Sequence, residues 1–319
     1  MMADKLDRET FLAAIDFSRL GEEAKAQPLG ARQNYLDLRP KGKGGADNDF
    51  NKQIYDTDIA ISIEVYGNFL KWLFATFNTT EEAFRHDVIG SLGLKPGDKV
   101  LVTSMGLGEE VEVCAEYVGL TGAVHGQDLN RRFVRHASEH TQHEQVFFTV
   151  SDALDLPYRD NYFDAVYHFG GINLFGDIHT ALLEMTRVCK PGGKILFGDE
   201  SLAMHLRDTE YGRMVLKNNP IWGAPLPLQE LPVNARNISI RYVLGNCFYL
   251  IGFEKGEGFP EINIDVPHIG YRGGTIRTRY FGEIEGVDIA AREKVYAYAK
   301  EHNISVHELL SKLIHDNFD

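Results

Sequence analysis

Apolar residues recur along this chain with two different periods, and the changes of period mark its elements. From Ile59 the run IAISIEVYGNFLKWLFATFN is apolar and aromatic at helical spacing. Thr79 and Glu82 then make a capping box for a second helix in EEAFRHDVIGSLG. The turn Lys95-Pro96-Gly97-Asp98 leads into VLVTSM, a β-branched run of the kind a central parallel strand carries because both its faces are buried. AVHGQDLN follows a helical length later, and then SDALDLPYRDNYFDAV and EMTRVCKPGGKILFGDE. Apolar strands that end in small or acidic residues, separated by helical lengths, predict a mostly parallel α/β sheet with its chemistry at the strand ends.

The pattern also predicts what surrounds that sheet. KILFGDES reads as a fifth strand entered through a Pro191-Gly192-Gly193 turn, and Asn237 to Gly256 as an antiparallel hairpin about Gly245-Asn246 that closes one sheet edge. The Pro-rich stretch from Leu202 to Ala235 is too long for a bare connection and is expected to cap the strand ends. Ahead of the sheet stand a short amphipathic helix, RETFLAAIDFSRL, and the glycine-rich KGKGGADNDFN, which reads as a mobile loop of a lid or partner arm. Beyond Gly258 an extended, arginine-bearing segment precedes two helices, the second opened by a Ser305–Glu308 capping box. The expected organisation is therefore a helical arm over residues 1–85, a core over 86–257 with the cap at 202–235, and a small α+β extension over 258–319.

Composition narrows the function classes. The 319 residues carry 33 basic and 46 acidic side chains, a formal net charge of −13, which argues against nucleic acid as a partner. Three cysteines in no metal spacing, Cys114, Cys189 and Cys247, indicate neither a disulfide framework nor a zinc site and fit a reducing cytoplasm. No window approaches the roughly 20 apolar residues of a spanning helix, so a soluble, unexported protein is expected. His136, His140 and His143 share one helix face, but no convergent carboxylate spacing accompanies them, and they read as a solvated face with no metal.

The ordered set of a glycine turn (SMGLG), an acidic strand end (GQD), DALDLPYRDNYFD and EMTRVCKPGG resembles the class I S-adenosylmethionine-dependent methyltransferases, and within them the ubiquinone/menaquinone-biosynthesis type. The resemblance runs from about Val88 to Gly256 and implies a Rossmann-like sheet, S-adenosylmethionine as cofactor and S-adenosylhomocysteine as product. It assigns Ser104, Gly106, Gly108, Asp128, Leu129, Asp152, Ala153 and Phe169 to the cofactor site. Gly106 and Gly108 let backbone approach the aminocarboxypropyl arm, or simply make a tight turn. Asp128 has the place of a carboxylate that accepts both ribose hydroxyls, a role compatible with capping the next helix. Asp152 stands where the adenine amino group is met, or makes an Asx turn. Tyr66 is the aromatic that would close over the sulfonium, or a core residue.

In one place the chain departs from the pattern. Val102 and Ser104 stand where the family carries an acidic residue and a first glycine, so the cofactor ammonium lacks one carboxylate partner unless Glu109, Glu110 or a residue of the arm substitutes. On the acceptor side the strand-end candidates are His168, a base titrating near neutrality, and Glu200. The resemblance and the acidic charge imply methyl transfer to a small organic acceptor, specialised metabolites among the candidates. Two other readings stay open: a non-methylating enzyme on the same cofactor, and a cofactor-sensing regulator whose tail, loosely like a ribbon-helix-helix module, binds DNA or joins a homodimer. Of these two roles the apolar stripes of the last helices favour the homodimer.

Overall fold

The computed structural model describes residues 3–20, 35–39, 59–269, 275–281 and 287–318. They fall into two compact units, residues 1–259 and 260–319. In the first unit the elements follow in the order α1 (Ala3–Ala14), β1 (Tyr35–Asp37), α2 (Ile59–Thr76), α3 (Glu81–Gly90), β2 (Lys99–Thr103), α4 (Glu109–Val118), β3 (Ala123–Asp128) and α5 (Arg131–His140). They continue with β4 (Val146–Val150), β5 (Phe163–Phe169), α6 (Ile178–Val188), β6 (Cys189–Glu200), α7 (Glu210–Asn218), β7 (Ala235–Val243) and β8 (Phe248–Lys255). The eight strands form one sheet in the order β1-β4-β3-β2-β5-β6-β8-β7, parallel from β1 to β6 and closed by the expected antiparallel hairpin.

The continuous apolar runs follow from burial on both faces. In β2, Val100 and Val102 join one hydrophobic layer, with Val111 and Cys114 of α4 and Val88 and Ile89 of α3, while Leu101 between them joins the other, with Leu182 and Met185 of α6. The direction of strand succession reverses between β2 and β5, since β3 and β4 lie on one side of β2 and β5 and β6 on the other. A crevice at the carboxyl ends of the strands is expected at such a reversal.

Three local expectations shift. The N-cap of α3 is Thr80, whose hydroxyl receives Ala83 N at 3.2 Å, so the cap lies one residue beyond the Thr79–Glu82 box. Pro191, Gly192 and Gly193 lie inside β6, which slips register against β5 between Phe163 and Ala165. A Cβ on Gly193 would stand 2.8 Å from Asp164 O, so the backbones approach there as only glycine permits. The segment read as an arm contributes β1, paired parallel to β4, and buries Phe11, Ala14, Ile15 and Leu20 in the second layer. The glycine-rich 41–51 lies outside the described residues.

The second unit contains α8 (Ile276–Phe281), α9 (Ile289–Glu301) and α10 (Val306–Phe318). Ser305 and Glu308 form the reciprocal capping box, Glu308 N to Ser305 Oγ at 3.0 Å and Ser305 N to Glu308 Oε2 at 2.9 Å. The arginine-bearing extended segment is a correction: Arg277 and Arg279 lie in α8, while Arg272 and Gly274 are outside the described residues. Thr275 starts that helix by accepting Thr278 N on its hydroxyl, and Arg277 forks onto Asp265 at 2.6 and 2.8 Å. A cap and a bidentate ion pair outweigh the strand preference of a Thr-, Ile- and Tyr-rich run. The ribbon of a ribbon-helix-helix module, and the strand pairing across a dimer axis built on it, lose their strand.

Among the described residues no helix is long and apolar enough to cross a membrane, and no group of three His, Cys, Asp or Glu side chains is placed to hold a metal ion. His136 and His140 instead face each other at 4.0 Å between ring centres.

Candidate functional site

The site is built from the loops that leave β2, β3, β4 and β6. After β2 the backbone turns through Ser104 at φ +49°, Gly106 at +58° and Gly108 at +97°, the last being the N-cap of α4. A Cβ on Gly106 would meet nothing within 4 Å, whereas one on Gly108 would press on Ala137 at 3.0 Å. Gly108 is therefore required for helix packing and Gly106 leaves an open cradle beside the loop, in a left-handed conformation that favours glycine. Gln127, which the sequence reading passed over, ties the loops together: its Oε1 accepts Ser104 N at 3.3 Å and its amide donates to Ser151 O.

Asp128 ends β3, buried, on the sheet face of Val124 and Val102. Its Oδ2 accepts Gly106 N at 3.0 Å and its Oδ1 accepts Asn130 N at 2.7 Å, which leaves each oxygen a further acceptor position. Burial pushes its pKa up to about 6 against the pull of these N–H groups, including that of Leu129. Asn130, not Asp128, caps α5 by accepting Arg132 N at 2.9 Å. Asp152 makes the Asx turn, accepting Leu154 N on Oδ1 at 2.9 Å, and Ala153 beside it is buried. Phe169 ends β5 between Phe84 and Phe248, with ring centres at 5.2 and 5.9 Å.

The two acceptor-side candidates separate. His168 is fully buried on the face of Val166, opposite to Asp128, with Nδ1 3.1 Å from Thr103 Oγ1 and its ring edge-on to Phe175. Burial holds its pKa down to about 4, and Nε2 finds no partner among the described residues. Glu200 ends β6 on the Asp128 face, accepts Asn219 Nδ2 at 3.3 Å from the cap, and has its pKa raised to about 7 by burial and then by the charge of Asp199. Asp199 points the other way, where it accepts Asn173 N at 2.7 Å. By strand order, Asp128 and Glu200 stand three strand spacings apart along one face, roughly 14 Å at ~4.8 Å per strand.

Tyr66 reaches the same face from α2. Its ring is 40% exposed, yet its hydroxyl is desolvated and its pKa raised beside Glu110, Arg85 and Glu109. Arg85, which the sequence reading also passed over, is buried with Glu81 at 2.6 Å and in direct contact with Glu110. The nearby Tyr167 hydroxyl is buried with no hydrogen-bond partner among the described residues.

A parallel sheet with a reversal of strand succession, a left-handed glycine turn after β2 and a buried carboxylate ending β3 define a Rossmann-like nucleoside-binding fold. Residues 101–197 match the family described as methyltransferase domain. The ubiquinone/menaquinone biosynthesis C-methyltransferase UbiE of Chromobacterium violaceum is 35% identical over 142 residues, 44% of this chain and 58% of that protein. The demethylmenaquinone methyltransferase of Bacillus mycoides is 34% identical over 118 residues, 36% of this chain and 50% of that protein. The chain thus spans about half the length of the curated relatives it matches. Among solved structures, phosphoethanolamine N-methyltransferase 2 of Haemonchus contortus with S-adenosyl-L-methionine aligns at a TM-score of 0.49 and 15% identity, over 66% of this chain and 60% of that one.

Proposed function

We propose that this protein transfers a methyl group from S-adenosylmethionine to a small organic acceptor and that Glu200 takes the acceptor's proton. The observation that carries the reading is the placement of Asp128 and Glu200 on one sheet face, at strand ends on either side of the β2–β5 reversal. The residues present fit the cofactor: Gly106 leaves an open cradle, and Asp128 keeps acceptor capacity on both oxygens for a ribose diol. The bound group supplies an electrophilic methyl on a sulfonium.

The rest falls to the chain. Tyr66 and Phe169 offer aromatic surface near the crevice, and the cap that carries Asn219 and Trp222 keeps water from the end of β6. As the acceptor's X–H bond breaks, its proton passes to a Glu200 oxygen, and the freed electron pair forms the bond to the methyl carbon. The cofactor, which the Gly106 cradle and Asp128 would hold, would keep the electron pair of the broken S–CH3 bond on sulfur and depart as S-adenosylhomocysteine. Aligned approach in a dry crevice supplies most of the rate, and no covalent intermediate with the protein is needed. His168, sealed on the opposite face, serves packing in this reading, so His168→Gln should change kcat by less than about tenfold in a labelled-methyl assay.

The donor reading is tested by calorimetry. Asp128→Ala should weaken S-adenosylmethionine and S-adenosylhomocysteine alike by about 1.5 to 3 kcal/mol, tenfold or more in Kd. Because the ionised carboxylate is the acceptor and its pKa is raised to about 6, wild-type affinity should also fall as the pH drops from 7 to 5, and the variant should lose this dependence. Unchanged affinity in Asp128→Ala would remove the nucleoside from the end of β3. Products that gain one methylene in mass from a metabolite extract would identify the acceptor.

A further inference from the structure

We propose that Glu109 receives the ammonium of the cofactor's amino-acid end, and that Arg85 is a positioning residue that holds the first turn of α4 in place. This rests on the donor reading above. Three carboxylates surround the buried guanidinium of Arg85: Glu81 accepts from Nε and Nη2 at 3.0 and 2.6 Å, Glu110 from Nη1, and Glu109 stands 4.0 Å away. Ionised together they leave two negative charges in excess around a buried guanidinium, and a partly desolvated cluster with surplus anion favours an arriving cation. Burial and the charge of Glu110 already push the Glu109 carboxyl up from its ordinary range.

The partners divide the roles. Glu81 and Glu110 are engaged by Arg85 at hydrogen-bond distance, whereas Glu109 stands off from it, with a side chain 35% exposed and oxygens to spare. A second feature faces the cluster: the Tyr167 hydroxyl, on a residue only 1% exposed, is influenced first among charged groups by Glu110 and Arg85 and has no hydrogen-bond partner among the described residues. An orphaned buried hydroxyl beside excess carboxylate marks a place where a polar group is missing. Position agrees as well. Tyr167 pairs with Val102 across β2 and β5, and Glu109 begins α4 directly after Gly108. A chain that starts from a ribose at Asp128 and passes the Gly106 cradle meets this cluster on the β5 side of the loop.

The test compares three ligands on wild type, Glu109→Gln and Asp128→Ala by calorimetry: S-adenosylmethionine, S-adenosylhomocysteine and 5′-methylthioadenosine, which keeps the nucleoside and lacks the amino-acid end. Glu109→Gln should weaken the first two about tenfold or more and leave methylthioadenosine unchanged, which also shows that the variant is folded. Asp128→Ala should weaken all three. Equal weakening of all three by Glu109→Gln, or of none while Asp128→Ala still acts, would overturn the assignment of Glu109. Failure of wild type to bind any of the three would overturn the donor reading itself.

Discussion

Glu200→Gln should lower kcat by roughly 10² to 10⁴ while leaving S-adenosylmethionine affinity nearly intact. The size follows from what glutamine keeps and loses. It preserves the shape and the hydrogen bond from Asn219, made at 3.3 Å in the native protein, but it cannot accept a proton. The carboxylate is suited to the task because burial and Asp199 raise its pKa to about 7, so it is both available and basic near neutrality. The Trp222 indole nitrogen makes no hydrogen bond of good geometry, yet it lies close enough to favour the ionised form. The sign of the pH effect is fixed by the same group: only ionised Glu200 accepts, so kcat should fall as the pH drops through about 7, approaching tenfold per unit below it. The glutamine variant should lack this limb. Full turnover in Glu200→Gln would mean that the acceptor arrives already ionised, and proximity would then carry the rate.

How far the sequence disclosed this arrangement depends on where each signal resides. β2 was legible because a strand buried on both faces must be apolar throughout, a property written locally. β1 was not: three residues, Tyr35 to Asp37, become a strand only by pairing with β4, more than a hundred residues away. The same holds for Arg85 and Glu110, whose contact joins α3 to α4 and leaves no trace in either helix's own pattern. The His168 and Glu200 pair is instructive in another way. Both are strand-end residues, and position at a strand end does not by itself tell one face of the sheet from the other. Counting alternation from Val166, a residue of the second layer, puts His168 with it and away from Asp128, so a usable signal was present. Tail residues 276–281 show the opposite limit, since the ion pair from Arg277 to Asp265 that anchors the helix has no strand-or-helix signature.

The most acid-sensitive element of the fold should be His125, and His125→Phe should reveal it. The imidazole is fully buried in β3 among Phe11, Phe147, Tyr158, Tyr162 and Phe163, with ring centres between 5.2 and 6.2 Å, and neither nitrogen has a hydrogen-bond partner among the described residues. Burial, and then the charge of Lys99, push its pKa down to about 3. A folded pKa below the unfolded value of about 6.5 means that the unfolded chain takes up the proton first, so this contribution to stability is complete above about 6.5 and is lost as the pH falls towards 3. The loss is about 1.4 kcal/mol per unit, or on the order of 2 kcal/mol by pH 5. His168 acts in the same direction, while Asp128 and Glu200, whose pKa values are raised, oppose it by taking up protons in the fold. The acid sensitivity of the wild type alone is therefore a blend. The difference between wild type and His125→Phe is not, because the other three groups cancel. Near pH 7.5 phenylalanine should be neutral or stabilising, since it removes an unpaired buried polar group that costs about 1 to 3 kcal/mol. Urea unfolding at pH 7.5, 6 and 5 should then show the advantage of the variant widening at each step. A difference that stays constant with pH would mean that the imidazole titrates in the fold much as it does in the open chain, and the aromatic enclosure would not be the barrier to its protonation.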